Sequence, residues 1–134
     1  MNAPQSLRNV AVLGTGIMGA PMALRLANAG FRVSAWNRSP AKAEVLREHG
    51  VMPVSTAADA VRDADVVICM LSSGPVCEAV LGGADGAIAR MRRDATLVVM
   101  SSIPIDTAIA IARDAEGRGI ACLDAPVSGG ELGA

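Results

Sequence analysis

The sequence predicts an α/β fold: a doubly wound, mainly parallel sheet with helices on both faces. Three observations carry this expectation. Short apolar runs alternate with helical patterns along the chain, the order that βαβ units produce. The runs are apolar at consecutive positions, as strands covered on both faces require. Glycines stand where the helical patterns stop, and glycine readily takes the left-handed conformation that ends a helix.

The elements follow in order. Asn9-Val10-Ala11-Val12-Leu13 reads as a buried strand ending at glycine. Residues 17–29 have a helical pattern that stops at Gly30, and residues 31–36 form a second strand. Pro40 suits the first turn of a helix running to His49 and closed by Gly50. Residues 51–54 form a short strand, after which Ser55 or Thr56 caps a helix through Arg62. Residues 65–71 are the clearest central strand. A helix over 75–81 leads into a glycine-rich loop at 82–86, and residues 95–100 form another buried strand. The helix over 105–116 is stopped by Gly117 and Gly119. A last strand at 120–123 precedes Asp124-Ala125-Pro126-Val127-Ser128-Gly129-Gly130.

Composition narrows the function classes. The 134 residues suit one domain with a real core, without room for a full second domain. Hydrophobic residues make up 51% and charged residues 19%, a balance that opposes disorder. Trp36 and Phe31 are the only aromatics, so the core must be aliphatic. A net charge of −1 without a basic block leaves no nucleic-acid footprint. No apolar run is long enough for a membrane span, and the first residues lack the regions of a signal peptide. Cys69, Cys77 and Cys122 have no metal-like spacing and read as reduced thiols, the first and last in strands. These features predict a cytoplasmic protein.

The chemistry begins at Gly14-Thr15-Gly16-Ile17-Met18-Gly19. A GxGxxG string gains meaning when a strand precedes it and a helix and second strand follow, as here. Gly14 permits the tight turn, Gly16 lets the backbone approach a pyrophosphate, and Gly19 allows close helix–strand packing. The helix N-terminus then presents N–H groups and a positive dipole end to the phosphates. This context predicts a Rossmann-type dinucleotide-binding domain. After the second strand, an NAD site usually carries an acidic residue for the ribose 2′-OH. Here the chain reads Asn37-Arg38-Ser39. A guanidinium pairs with a 2′-phosphate in a planar, two-pronged way, and Asn37 and Ser39 are expected to donate further hydrogen bonds. NADP therefore stands ahead of NAD. Lys42 either adds charge there or is a solvated helix lysine.

The glycine loop, the Asn-Arg-Ser turn and the segment from Asp124 to Gly130 together resemble the β-hydroxyacid dehydrogenases. That family includes 3-hydroxyisobutyrate dehydrogenase, tartronate semialdehyde (2-hydroxy-3-oxopropionate) reductase, glyoxylate/succinic semialdehyde reductase and phosphogluconate dehydrogenase relatives. The likeness covers the chain from Asn9 onward. Met100-Ser101-Ser102-Ile103 and Leu123 to Glu131 most resemble the tartronate semialdehyde reductase branch. The resemblance implies that Met18 borders the cofactor. It places Met70, Leu71, Ser72 and Val76 beside the ribose and nicotinamide, with Ser102 near the nicotinamide. Ser128, Gly129 and Gly130 would hold a substrate carboxylate, although spacing alone equally allows a simple tight turn there. Two positions depart from the family pattern: Val99 stands where the family has Asp, and Pro104 follows Ile103 directly.

The resemblance implies an oxidoreductase that passes hydride between NADP(H) and a small hydroxy or oxo acid, and an intact protein that is a homo-oligomer. It also implies a catalytic lysine in a later helix, outside this sequence, so no catalytic residue is assigned here. The chain is accordingly expected to be an incomplete cofactor domain, inactive alone and exposing a sheet edge and apolar helix faces. Two other readings are a non-catalytic cofactor-binding module and an imine-reductase-like relative. The Ser-Gly-Gly turn argues against the imine reading, since an imine needs no carboxylate clamp.

Overall fold

The computed structural model describes residues 6–128. Six strands form one sheet: β1 (Asn9–Leu13), β2 (Arg32–Trp36), β3 (Val51–Pro53), β4 (Val66–Cys69), β5 (Thr96–Val99) and β6 (Ala121–Asp124). Their spatial order is β3-β2-β1-β4-β5-β6, and every pairing is parallel. This is the doubly wound order whose direction reverses between β1 and β4, where ligands bind outside the carboxyl ends of the strands.

Five helices join the strands: α1 (Gly19–Asn28), α2 (Pro40–Glu44), α3 (Ala57–Val61), α4 (Gly74–Leu81) and α5 (Ile105–Gly117). Side chains alternate across a strand, and β1 divides the core accordingly. Val10 and Val12 pack with Ala23 of α1, Leu46 and Val51. Ala11 and Leu13 join the opposite cluster with Val61, Cys77, Leu81 and Ile111 from α3, α4 and α5. Both faces of β1 are thus covered, whereas β4 and β5 alternate buried and half-buried residues and β6 is largely exposed.

Several boundaries differ from expectation for physical reasons. The first helix begins at Gly19, and residues 16–18 form a turn. The expected helix from Pro40 to His49 is interrupted after Glu44. Leu46 N–H donates to the Ala43 carbonyl and His49 N–H to that of Leu46. These tighter three-residue bonds bring Leu46 into the core at 4% exposure, and Arg47–His49 forms a short 3-10 turn. Gly50 closes it at φ +86°. Another 3-10 turn, Ile88–Arg90, lies just beyond the glycine-rich loop and buries Ile88, an element absent from the sequence reading. Thr56 is the cap of α3, accepting from the Asp59 N–H at 3.0 Å.

Candidate functional site at the β1–β4 switch point

β1 feeds the glycine loop directly. Gly14 takes φ +98°, and its N–H donates to the Trp36 carbonyl at 2.8 Å. A Cβ at Gly14 would stand 2.3 Å from the Met70 carbonyl oxygen, and one at Gly19 would stand 1.7 Å from that of Gly14. The turn is therefore packed backbone against backbone, with no room for side chains. Gly16 is the opposite case: nothing lies within 4 Å of where its Cβ would be. Its backbone faces a cleft of about 510 Å³.

That cleft spans the switch point. Gly14, Gly16, Ile17, Met18 and Gly19 line its floor; Asn37, Arg38, Ser39 and Lys42 line the β2 side; Met70, Leu71, Ser72 and Val76 line the β4 side. No carboxylate is among these lining residues. Arg38 and Lys42 are exposed and form no ion pair among the described residues, since Glu44 of α2 is engaged by Arg47 at 2.6 Å. The N-terminus of α1 has no side-chain cap and no acidic residue in its first turn. Its positive dipole end therefore remains available to an anion.

Thr15 lies beneath the floor at 3% exposure. Its N–H donates to Asn37 Oδ1 at 2.9 Å, and Asn37 Nδ2 donates to the Ser39 carbonyl at 3.1 Å. Asn37 thus braces the glycine loop against the turn after β2, a role beyond the donor function read from sequence. Thr15 Oγ1 is buried without a hydrogen-bond partner among the described residues.

The β4 side ends on buried polar contacts. Cys69 Sγ lies 3.8 Å from Cys77 Sγ and 3.7 Å from Ser101 Oγ. The neighbouring Cys77 thiol and burial push the Cys69 thiol up, so it stays protonated at neutral pH. All three cysteines are free thiols.

The expected Ser102 is exposed and does not line the cleft. Ser101, which the sequence reading passed over, is buried at 1% exposure. A signal for it existed. Leu97, Val99 and Ser101 share one face by the period-two rule, and a hydroxyl continuing a core-facing row requires a partner. Ser128 is exposed beyond β6, while Gly129 and Gly130 lie outside the described residues. Val99, at the family's Asp position, is buried at 1% as part of the core.

A second depression of about 500 Å³ lies at the amino ends of β1 and β2, bounded by Phe31, Met52, Ala60 and Asp63. It has neither the glycine loop nor a helix N-terminus. Among the described residues there is no cluster of three or more potential metal ligands, and no helix is long and apolar enough to cross a membrane.

Comparisons with known proteins agree with this arrangement. The family described as the NAD binding domain of 6-phosphogluconate dehydrogenase matches residues 9–134. The chain is 39% identical to a 3-hydroxyisobutyrate dehydrogenase of Pseudomonas aeruginosa, over 96% of this chain and 43% of that protein. It is 41% identical to a 2-hydroxy-3-oxopropionate reductase of Escherichia coli, over 91% of this chain and 41% of the relative. The solved structure of a Mycobacterium tuberculosis 3-hydroxyisobutyrate dehydrogenase with L-serine superposes with TM-score 0.87 at 38% identity. That match covers 96% of this chain and 43% of the other. The chain therefore spans under half the length of these relatives. With the glycine loop, the strand order and the matched residues in agreement, the chain belongs to the NAD-binding-domain family of 6-phosphogluconate dehydrogenase, the cofactor domain of the β-hydroxyacid dehydrogenases.

Proposed function

We propose that this NAD(P)-binding domain takes NADP(H) in preference to NAD(H), and that it is the cofactor part of a reductase or dehydrogenase acting on a small hydroxy or oxo acid. One observation carries the cofactor choice. Arg38, Ser39 and Lys42 line the same cleft as the glycine loop, with no carboxylate among them. A 2′-phosphate there meets two unpaired cations, whereas a ribose 2′-OH finds no acidic acceptor.

The residues fit the cofactor. The space at Gly16 that a Cβ would fill admits a pyrophosphate, and the uncapped start of α1 points its dipole there. Arg38 and Ser39 would hold the 2′-phosphate, with Asn37 setting their turn. Met70, Leu71, Ser72 and Val76 would flank the other half, with Ser102 beyond them. Ser128, Gly129 and Gly130 would meet the substrate carboxylate. When bound, the cofactor supplies the hydride chemistry; the protein supplies orientation and exclusion of water. The titratable side chains of the cleft, Arg38 and Lys42, both lie on its β2 side. Neither suits proton donation at the opposite end, so no described residue of the cleft is assigned as general acid, a role the family resemblance gives to a later lysine. The hydroxyacid relatives at 39–41% identity support this substrate class over imines. The free thiols support a cytoplasmic setting, and the family resemblance supports a homo-oligomeric intact protein.

Titrating the chain with NADPH and NADH tests the reading. NADPH should bind more tightly. Arg38→Ala should weaken NADPH by about 5- to 150-fold, equivalent to the roughly 1–3 kcal/mol of a charged hydrogen bond. NADH should be nearly unaffected. Tighter NADH binding, or equal losses for both, would overturn it.

A further inference from the structure

Resting on the dinucleotide reading, we propose that Ser101 is a positioning residue: its buried hydroxyl fastens the Met70–Ser72 rim so that the cleft accepts the nicotinamide half of the cofactor.

The geometry is that of a side chain extending a sheet ladder. β5 bonds to β4 through the Met100 N–H, which donates to the Cys69 carbonyl at 2.9 Å. On the opposite side the Met70 N–H donates to the Leu13 carbonyl at 2.8 Å. Met70 and Met100 each lie one residue past the end of their strand. The next inward-facing donor, the Leu71 N–H, has no strand beside it. Ser101 Oγ accepts that N–H at 2.8 Å and can donate to the Cys69 carbonyl at 3.3 Å. One hydroxyl thus replaces a rung of backbone pairing.

What this rung holds is the wall of the cleft. The Met70 carbonyl stands where a Cβ on Gly14 would collide, and a Leu71 side-chain methyl lies 3.2 Å from that same point. The position of the Met70–Leu71 peptide therefore sets the gap between the glycine loop and the β4 side. Arg38, Ser39 and Lys42 occupy the far side of the loop. A ligand anchored there by its adenosine 2′-phosphate must carry its other half over Leu71 and Ser72. Losing the Ser101 hydroxyl frees this rim and leaves the β2 side untouched, because Asn37 braces that side independently.

The test compares the 134-residue chain with Ser101→Ala, using two probes: NADP+ and 2′-phospho-ADP-ribose, which lacks the nicotinamide. Calorimetry should show NADP+ weakened about five- to tenfold, the scale of one neutral hydrogen bond. 2′-Phospho-ADP-ribose should change by less than about twofold on the same scale. Ser101→Thr, which keeps the hydroxyl, should recover most of the difference. Equal losses for both probes, or no loss for either, would overturn the positioning role alone. Failure of the unaltered chain to bind either probe would overturn the dinucleotide reading and this role with it. Amide hydrogen exchange on the unaltered chain tests the bond on which the role depends even if the variants do not fold. The Leu71 N–H should be protected like the Met70 N–H, and exchange as fast as that of Ser72 would refute the latch.

Discussion

The two ends of the sheet are held by different chemistry. At the amino end the Asp65 carboxylate accepts from the N–H groups of Arg8 and Asn9 at 3.0 and 2.9 Å, and Arg92 pairs with it. The Asp65 backbone also bonds to β1 and β5. One residue, through its carboxylate and its backbone, therefore ties together the entry points of three central strands. At the carboxyl end the bonds are uncharged: Thr15 N–H to Asn37, Leu71 N–H to Ser101, and glycine packed on carbonyl. The cations at that end, Arg38 and Lys42, have no acidic partner among the described residues. The difference teaches where charge is useful. The amino end holds its charge in an ion pair, whereas the end that carries the glycine loop leaves Arg38 and Lys42 without acidic partners among the described residues and builds its framework from neutral bonds.

Substitutions at the glycine loop should break this contrast most strongly. Gly19→Ala drives a methyl group into the Gly14 carbonyl, and backbone cannot yield there as a side chain could. We expect a loss above about 3 kcal/mol in denaturant unfolding, the range reserved for severe core or backbone conflicts. Gly16→Ala, three residues earlier, meets nothing. It should leave stability within about 1 kcal/mol while abolishing most NADPH binding in a titration. Comparable stability losses for the two would show that the loop is not divided between packing and ligand as described.

The amino end should respond to pH. Hydrogen bonds from the Asn9 and Arg8 N–H groups, aided by Arg92, hold the Asp65 carboxyl below the usual carboxylate range. Its folded value being lowered, its stabilisation is complete above the ordinary value of about 3.9 and fades as pH falls through the lowered one. Asp65→Asn should cost about 1–3 kcal/mol at neutral pH and make acid unfolding less steep. NADPH affinity, measured at the opposite end, should not change. A shift in affinity would mean that the two ends are coupled.

The smallest effect belongs to Thr15→Val. Its Oγ1 has no partner among the described residues, so an isosteric apolar group removes a polar atom without breaking a bond. Thermal unfolding should move by less than about 1 kcal/mol, in either direction but without large loss. A large destabilisation would reveal a partner for that hydroxyl.

The legibility of the molecule follows the range of the interactions. The strands were readable because their runs are apolar whether fully buried, as in β1, or alternately half-buried, as in β4, and Gly30 and Gly50 marked the ends of α1 and of the 3-10 turn through their positive φ. The tight turn at Gly14 was readable for the same reason: its positive φ is a property of a short stretch of backbone. The start of α1 at Gly19 was not, because the Gly14 carbonyl that Gly19 packs against comes from the preceding strand's end. Ser101 and Ser102 are adjacent and chemically identical. The row Leu97, Val99, Ser101 pointed to the buried hydroxyl, but its partner, the Leu71 N–H thirty residues earlier, came only with the assembled sheet.

By itself the sequence determined the α/β alternation, the tight glycine loop and the place of Asn37-Arg38-Ser39 after β2, since local sterics and hydrophobic periodicity specify the elements on which they stand. The tertiary structure decided which strands became neighbours. It thereby joined Asn37 to Thr15 and Ser101 to Leu71, and gathered the glycine loop, Arg38 and Leu71 around one cleft. Hydrogen bonds between distant segments exist only once the sheet has assembled, because what creates them is the order of the strands and not the order of the residues.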